Sequence, residues 1–182
     1  FMSGNPFNRC THVALDPENG DFYVTDGYGN ARVHKYSPDG KLLFSWGGPG
    51  TDEGEFSIPH NIATDKDGYV YVADRENHRV QVFDSQGKYE TQFNNLHRPC
   101  TIYISKEQHV YIGDLGWGMA VNRNHPNIGP WITVLNTKGE RLARIGHMGY
   151  VKEDEIQEVL EALEIVLPKL GFKASKPTVD IG

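Results

Sequence analysis

Three segments of this sequence share one pattern, and that repeat limits what the chain can fold into. The first reads Thr11-His12-Val13-Ala14-Leu15-Asp16, Phe22-Tyr23-Val24-Thr25-Asp26, then Asn30-Ala31-Arg32-Val33. The second reads His60-Asn61-Ile62-Ala63-Thr64-Asp65, Val70-Tyr71-Val72-Ala73-Asp74, then Asn77-His78-Arg79-Val80. A looser third reads Cys100-Thr101-Ile102-Tyr103-Ile104, then Val110-Tyr111-Ile112-Gly113-Asp114. The anchors Asp26, Asp74 and Asp114 stand 48 and 40 residues apart. A short β-rich unit repeated at this period cannot bury its apolar face alone, so neighbouring units must stack.

Local chemistry points the same way. Val13-Ala14-Leu15 and Asn61-Ile62-Ala63 are short apolar runs, as expected of an inner strand buried on both faces. Asp39-Gly40 and Gln86-Gly87 sit between β-rich runs, where a hairpin turn needs positive φ. Each unit yields about four strands, which predicts propeller blades. The outer strands are Leu43–Trp46, Tyr89–Phe93, and the pair Trp131–Leu135 and Arg141–Ile145, with a polar loop at Asn122–Asn127. The predicted blades span about residues 1–47, 54–96 and 97–146. The expected fold is mainly β: a partial propeller of three blades, then a C-terminal amphipathic α-helix within residues 147–182. That helix is read from Ile156, Val159, Leu160, Leu163, Val166, Leu167 and Leu170 at i, i+3, i+4 and i+7 spacing. Glu153, Asp154 and Glu155 suit its N-terminal dipole, Gly171 suits its C-terminal cap, and Pro168 should kink or end its last turn.

Composition excludes several classes. The 182 residues suit one domain, or one and a small appendage. A net charge of −6 disfavours a nucleic-acid binder, because neutralising phosphates needs a basic face. No apolar run approaches a membrane span and no signal peptide is visible, so a soluble chain is expected. Two Cys build no disulfide framework and leave the compartment open. A first residue of Phe implies a processed, trimmed or partial chain. Gly47-Gly48-Pro49-Gly50 lacks the Lys of a phosphate-binding loop.

Over about residues 1–146 the sequence resembles NHL-type β-propellers. The residues that carry the resemblance are Gly54-Glu55-Phe56-Ser57-Ile58-Pro59-His60-Asn61-Ile62-Ala63-Thr64-Asp65 and Tyr71-Val72-Ala73-Asp74-Arg75-Glu76-Asn77-His78-Arg79-Val80. Tyr23-Val24-Thr25-Asp26-Gly27-Tyr28-Gly29-Asn30-Ala31-Arg32-Val33 and Pro59-His60 resemble the peptidyl-α-hydroxyglycine α-amidating lyase-like branch. The resemblance implies a six-bladed fold. It also implies a lyase that forms a peptide amide and glyoxylate, with zinc on central His residues and structural calcium. Over about residues 143–182, Arg144-Ile145-Gly146-His147-Met148-Gly149-Tyr150-Val151 and Leu170-Gly171-Phe172 resemble the C-terminus of class V aminotransferases. That likeness implies a hybrid chain in which Arg144 would bind a substrate carboxylate. The domain that carries the cofactor lysine has no counterpart, so pyridoxal phosphate is not expected.

The candidate site residues each have two readings. His60 opens an inner strand and matches the family's zinc ligand, or it is a structural His bonded to the backbone of a neighbouring blade. Cys100 occupies the place of His60 in the next unit and shares a zinc, or it is a buried apolar Cys. The recurring Asp residues bind turn backbone, with a catalytic pair as the alternative. Arg32 and Arg79 are candidate partners for them between blades. Tyr103 and Arg98 are available for a lyase site without an assigned role. Arg144 is a carboxylate fork or an exposed strand-end residue. Three functions follow: a propeller module binding a protein or peptide, a zinc lyase, or a transaminase remnant. Three blades also leave free faces that a second copy could cover, giving a homodimer.

Overall fold

The computed structural model describes residues 7–116 and 130–146, together with the single positions 161, 165 and 168. The chain divides into Phe1–Gly146 and His147–Gly182. The Asn122–Asn127 loop lies outside the described residues. So does the C-terminal helix, apart from Glu161, Ile165 and Pro168, and so does the aminotransferase-like tail beyond Gly146.

The first unit contains three antiparallel sheets of four strands, each connected in simple up-and-down order. Blade 1 holds β1 (His12–Leu15), β2 (Phe22–Asp26), β3 (Arg32–Tyr36) and β4 (Leu42–Trp46). Blade 2 holds β5 (Pro59–Thr64), β6 (Val70–Asp74), β7 (Arg79–Phe83) and β8 (Tyr89–Phe93). Blade 3 holds β9 (Pro99–Ile104), β10 (His109–Asp114), β11 (Trp131–Asn136) and β12 (Arg141–Gly146).

Alternation along the middle strands builds the cores between blades. Val70, Val72 and Phe83 join Tyr23, Val33 and Phe56 between blades 1 and 2. Tyr71, Ala73, Val80 and Val82 join Ile102, Val110, Ile112 and Leu135 between blades 2 and 3. Every residue of β6 and β7 is therefore buried. The inner strands are also tied sideways. Thr64 Oγ1 donates to the Leu15 carbonyl at 2.6 Å, and the Ile102 N–H donates to Asn61 Oδ1 at 3.1 Å.

Blade 1 departs from the sequence expectation. Val13 and Leu15 are 51% and 67% exposed, not buried on both faces. Only blade 2 has a described neighbour on each side, so the outward face of β1 lacks the cover that β6 receives.

Candidate functional site

The recurring aspartates explain how the ends of the blades are shaped. Asp74 is fully buried and accepts from Ser57 N (2.7 Å), Asn77 Nδ2 (2.8 Å), Arg79 Nε (2.8 Å) and Gln81 Nε2 (3.2 Å). It fixes the 3₁₀ turn Arg75–Asn77 that follows it. Burial pushes its carboxyl above the usual range, although the bonds from Ser57, Asn77 and Arg79 pull it back. Asp26 does the same for the turn after β2, accepting from Asn8 N, Asn30 Nδ2 and His34 Nε2. Each carboxylate thus joins backbone and turn groups (Ser57 N and Asn77, Asn8 N and Asn30) to side chains of the next strand (Arg79 and Gln81, His34). The Arg79 ion pair lies within its own blade rather than between blades. Arg32 is exposed.

His60 owes its position to a bulge. Pro59 pairs with Asp74 and Asn61 with Ala73, so His60 is the extra residue between them. A bulge bends its strand and re-aims the side chain. Cys100 is the equivalent extra residue in β9, between Pro99 and Thr101. The two meet through the Cys100 carbonyl, which lies 2.9 Å from His60 Nδ1. The Cys100 thiol donates instead to the Gly113 carbonyl at 3.4 Å, and burial pushes its pKa up.

A carbonyl only accepts, so His60 Nδ1 carries the proton and Nε2 is the acceptor. Tyr28 Oη lies 3.2 Å from Nε2 and donates to it. Arg75 Nη1 in turn donates to Tyr28 Oη at 3.2 Å, and its guanidinium lies 5.5 Å from the Tyr28 ring centroid. Arg75 Nε donates to Glu76 Oε1 at 2.8 Å, and Arg98 grips the same carboxylate through Nε and Nη2. Burial works against the Glu76 carboxylate, but the bonds from Arg98 and Arg75 prevail and hold its pKa below the usual range. The result is one directed chain: guanidinium to phenol, phenol to imidazole, imidazole to carbonyl. Tyr28 is its exposed member at 45%, whereas Arg75 is buried.

Sequence reasoning offered Tyr103 and Arg98. Arg98 joins the cluster through Glu76, while Tyr103 is 63% exposed beside Tyr111 on the outer face of blade 3. Tyr28 and Arg75 were not singled out. The signal lay in their place directly after the anchors Asp26 and Asp74, at the sheet end where His60 emerges. Arg144 stands in β12, stacked at 4.4 Å on Trp131, with Nε donating to Thr133 Oγ1 and Nη2 to the Asn95 carbonyl.

The family comparison assigns the first two blades. The NHL repeat model matches residues 7–36 and 56–83. The chain carries NHL repeats. It is 41% identical over 85 residues to peptidyl-glycine alpha-amidating monooxygenase B of Xenopus laevis, a match covering 44% of this chain and 10% of that protein. It is 42% identical over 103 residues to peptidyl-alpha-hydroxyglycine alpha-amidating lyase 1 of Drosophila melanogaster, covering 51% and 19%. Human NHL repeat-containing protein 3 is 43% identical over 81 residues, covering 43% and 23%. The chain thus spans less than a quarter of the length of these relatives. Among solved structures, a catalytically inactive virginiamycin B lyase of Staphylococcus aureus with quinupristin aligns at TM-score 0.60 and 20% identity, covering 80% of this chain and 44% of that one. A streptogramin B lyase structure aligns at TM-score 0.58 and 18% identity, covering 76% and 41%. These structural likenesses carry the fold alone. This is an NHL-repeat β-propeller related to the hydroxyglycine amidating lyases.

That relationship raises the question of zinc. His60 has the tautomer that suits a metal ligand, with Nδ1 held by a carbonyl, but its Nε2 accepts from Tyr28. Zinc needs three or four such donors. No group of three or more His, Cys, Asp or Glu among the described residues is arranged to hold a metal. The Cys100 thiol is directed at Gly113 rather than toward His60 Nε2. The described residues therefore do not make a zinc site, and no chemical step is derived through one.

Proposed function

We propose that this NHL-repeat propeller is a binding scaffold that retains part of a lyase-type site and holds a peptide through a carboxylate-bearing end. The observation that carries this reading is the placement of Tyr28 Oη between His60 Nε2 and Arg75 Nη1. A ligand carboxylate entering over the exposed phenol would take the Tyr28 proton in place of His60 Nε2 and would accept as well from the guanidinium behind it. Arg75 is prepared for that role because Glu76 and Arg98 fix its orientation at no further entropic cost. His60 Nε2 accepts the phenol proton when no ligand is bound and so holds the Tyr28 side chain at the mouth of the site.

The test is calorimetric titration with an N-acyl-α-hydroxyglycine peptide, paired with a glyoxylate assay in the presence of zinc. Saturable binding that weakens at least tenfold in Arg75→Ala and about threefold in Tyr28→Phe is expected, with no glyoxylate released. Turnover that needs zinc and His60 would replace the scaffold reading with the lyase. Absence of binding would overturn both.

A further inference from the structure

A cleft of about 420 Å³ lies between the outer edges of blades 2 and 3. Its floor is apolar, made by Phe93, Leu96 and Leu135. Gly139 closes one side, where an added Cβ would stand 2.6 Å from the Phe93 ring. The rim carries Lys138, Arg141 and Arg144, with no Asp or Glu in the lining.

This clustering of charge departs from the repeat. Arg144 pairs with Thr133 at the register position where blade 1 has Ser45 and blade 2 has Gln92. Arg141 pairs with Leu135 where the other blades place Leu42 and Tyr89. Blade geometry is satisfied by neutral residues at both places, so the arginines are not needed to build the sheet. Elsewhere in this acidic chain the buried cations are paired: Lys35 with Asp21, Arg75 and Arg98 with Glu76, and Arg79 with Asp74. Among the described residues, no ion pair to Lys138, Arg141 or Arg144 is formed. Burial and the neighbouring Arg141 charge depress the Arg144 pKa, and the Asp114 carboxylate nearby offsets them only in part, so the cleft rim holds like charges against one another. Arg144 is held still nonetheless, stacked on Trp131 and bonded to Thr133 and Asn95.

We propose that this cleft binds an organic anion with an apolar body, its charge bridging Arg141 and Arg144 and its body resting on Phe93 and Leu135. An anion between two guanidiniums relieves their repulsion and accepts bidentate bonds. The apolar floor selects against a fully hydrated ion. The site uses none of the residues of the Tyr28–His60–Arg75 cluster and stands independently of the function proposed for it.

Phenyl phosphate is the direct probe, titrated into the full chain and followed through the Trp131 indole resonance. Inorganic phosphate and benzyl alcohol supply the charge and the ring separately. Saturable binding is expected for phenyl phosphate, at least threefold tighter than for inorganic phosphate, with none for benzyl alcohol. Arg141→Gln/Arg144→Gln should weaken it at least tenfold. Lys138→Gln, on an exposed turn, tests the charge without disturbing the blade and should weaken binding about two- to threefold. Binding unchanged in folded variants, or failure of the wild-type chain to saturate, overturns the proposal.

Discussion

At the scale of single residues, the three anchor aspartates show how one sequence position acquires different energetics. Asp74 serves four donors and an ion pair with Arg79. Removing one member of a buried pair strands the other charge, at about 3–5 kcal/mol. Asp74→Ala is therefore expected to lower stability by about that amount in urea unfolding. Asp114 is placed alike but served differently. Its oxygens are buried, and none of the groups around them makes a close hydrogen bond like those of Asp74. Burial pushes its pKa to about 6, although His97 N, Trp131, Arg144 and Thr133 all draw it down. The folded state then keeps a proton that the unfolded state releases near pH 4, so stability falls as pH rises from about 4 through 6. Asp114→Asn removes that penalty. Its melting temperature should approach that of the wild-type chain near pH 4, exceed it increasingly up to pH 7, and change no further above. A constant difference across that range would contradict the assignment of the titration to Asp114. The sequence showed the recurrence of these residues and their turn chemistry. It could not show the difference between them, because that depends on which groups the following turn brings to each carboxylate.

At the scale of strands and turns, legibility followed the hydrophobic pattern. Val70-Tyr71-Val72-Ala73 is apolar throughout, and both its faces meet a blade. His60 was found because it begins an inner strand, whereas Tyr28 and Arg75 sit on turns with no periodicity to mark them. What joins the three is the register shift at Pro59 and a close approach at Gly27. A Cβ on Gly27 would stand 2.1 Å from the Pro59 carbonyl oxygen and 2.9 Å from Thr11 Cγ2. Backbone cannot yield as a flexible side chain does, and such overpacking costs about 1–3 kcal/mol. Gly27→Ala should lose that much in urea unfolding and should also move the Tyr28 turn away from His60. The check is a paired one: stability by denaturation, and peptide affinity relative to Gly27→Ala/Tyr28→Phe. If the glycine positions the phenol, the second substitution adds little to the first in affinity, since sites that share a contact are not additive.

At the scale of the whole propeller unit, the repeat foretold three blades but said little about their outer faces. Successive blades pack the same way: the face of one carrying Tyr23 and Val33, or Tyr71 and Val80, meets the opposite face of the next. Blade 3 offers the first kind of face through Tyr103 and Ile132, which are 63% and 45% exposed. Blade 1 offers the second kind through Val13 and Leu15, which are 51% and 67% exposed. Apolar side chains of this size, set on register positions that elsewhere build a core, favour association driven by their removal from water. The two faces are complementary in kind, so the expected contact is head to tail, blade 3 of one copy on blade 1 of another. Light scattering during size exclusion should then give a mass above the 20.5 kDa of one chain, rising with concentration. Leu15→Lys and Tyr103→Lys, each placing a charge in the contact, should return the mass to that of a single chain. Each acts on a different face, so either alone suffices if the contact is head to tail. A face pairing with its own copy would instead leave one of the two substitutions without effect.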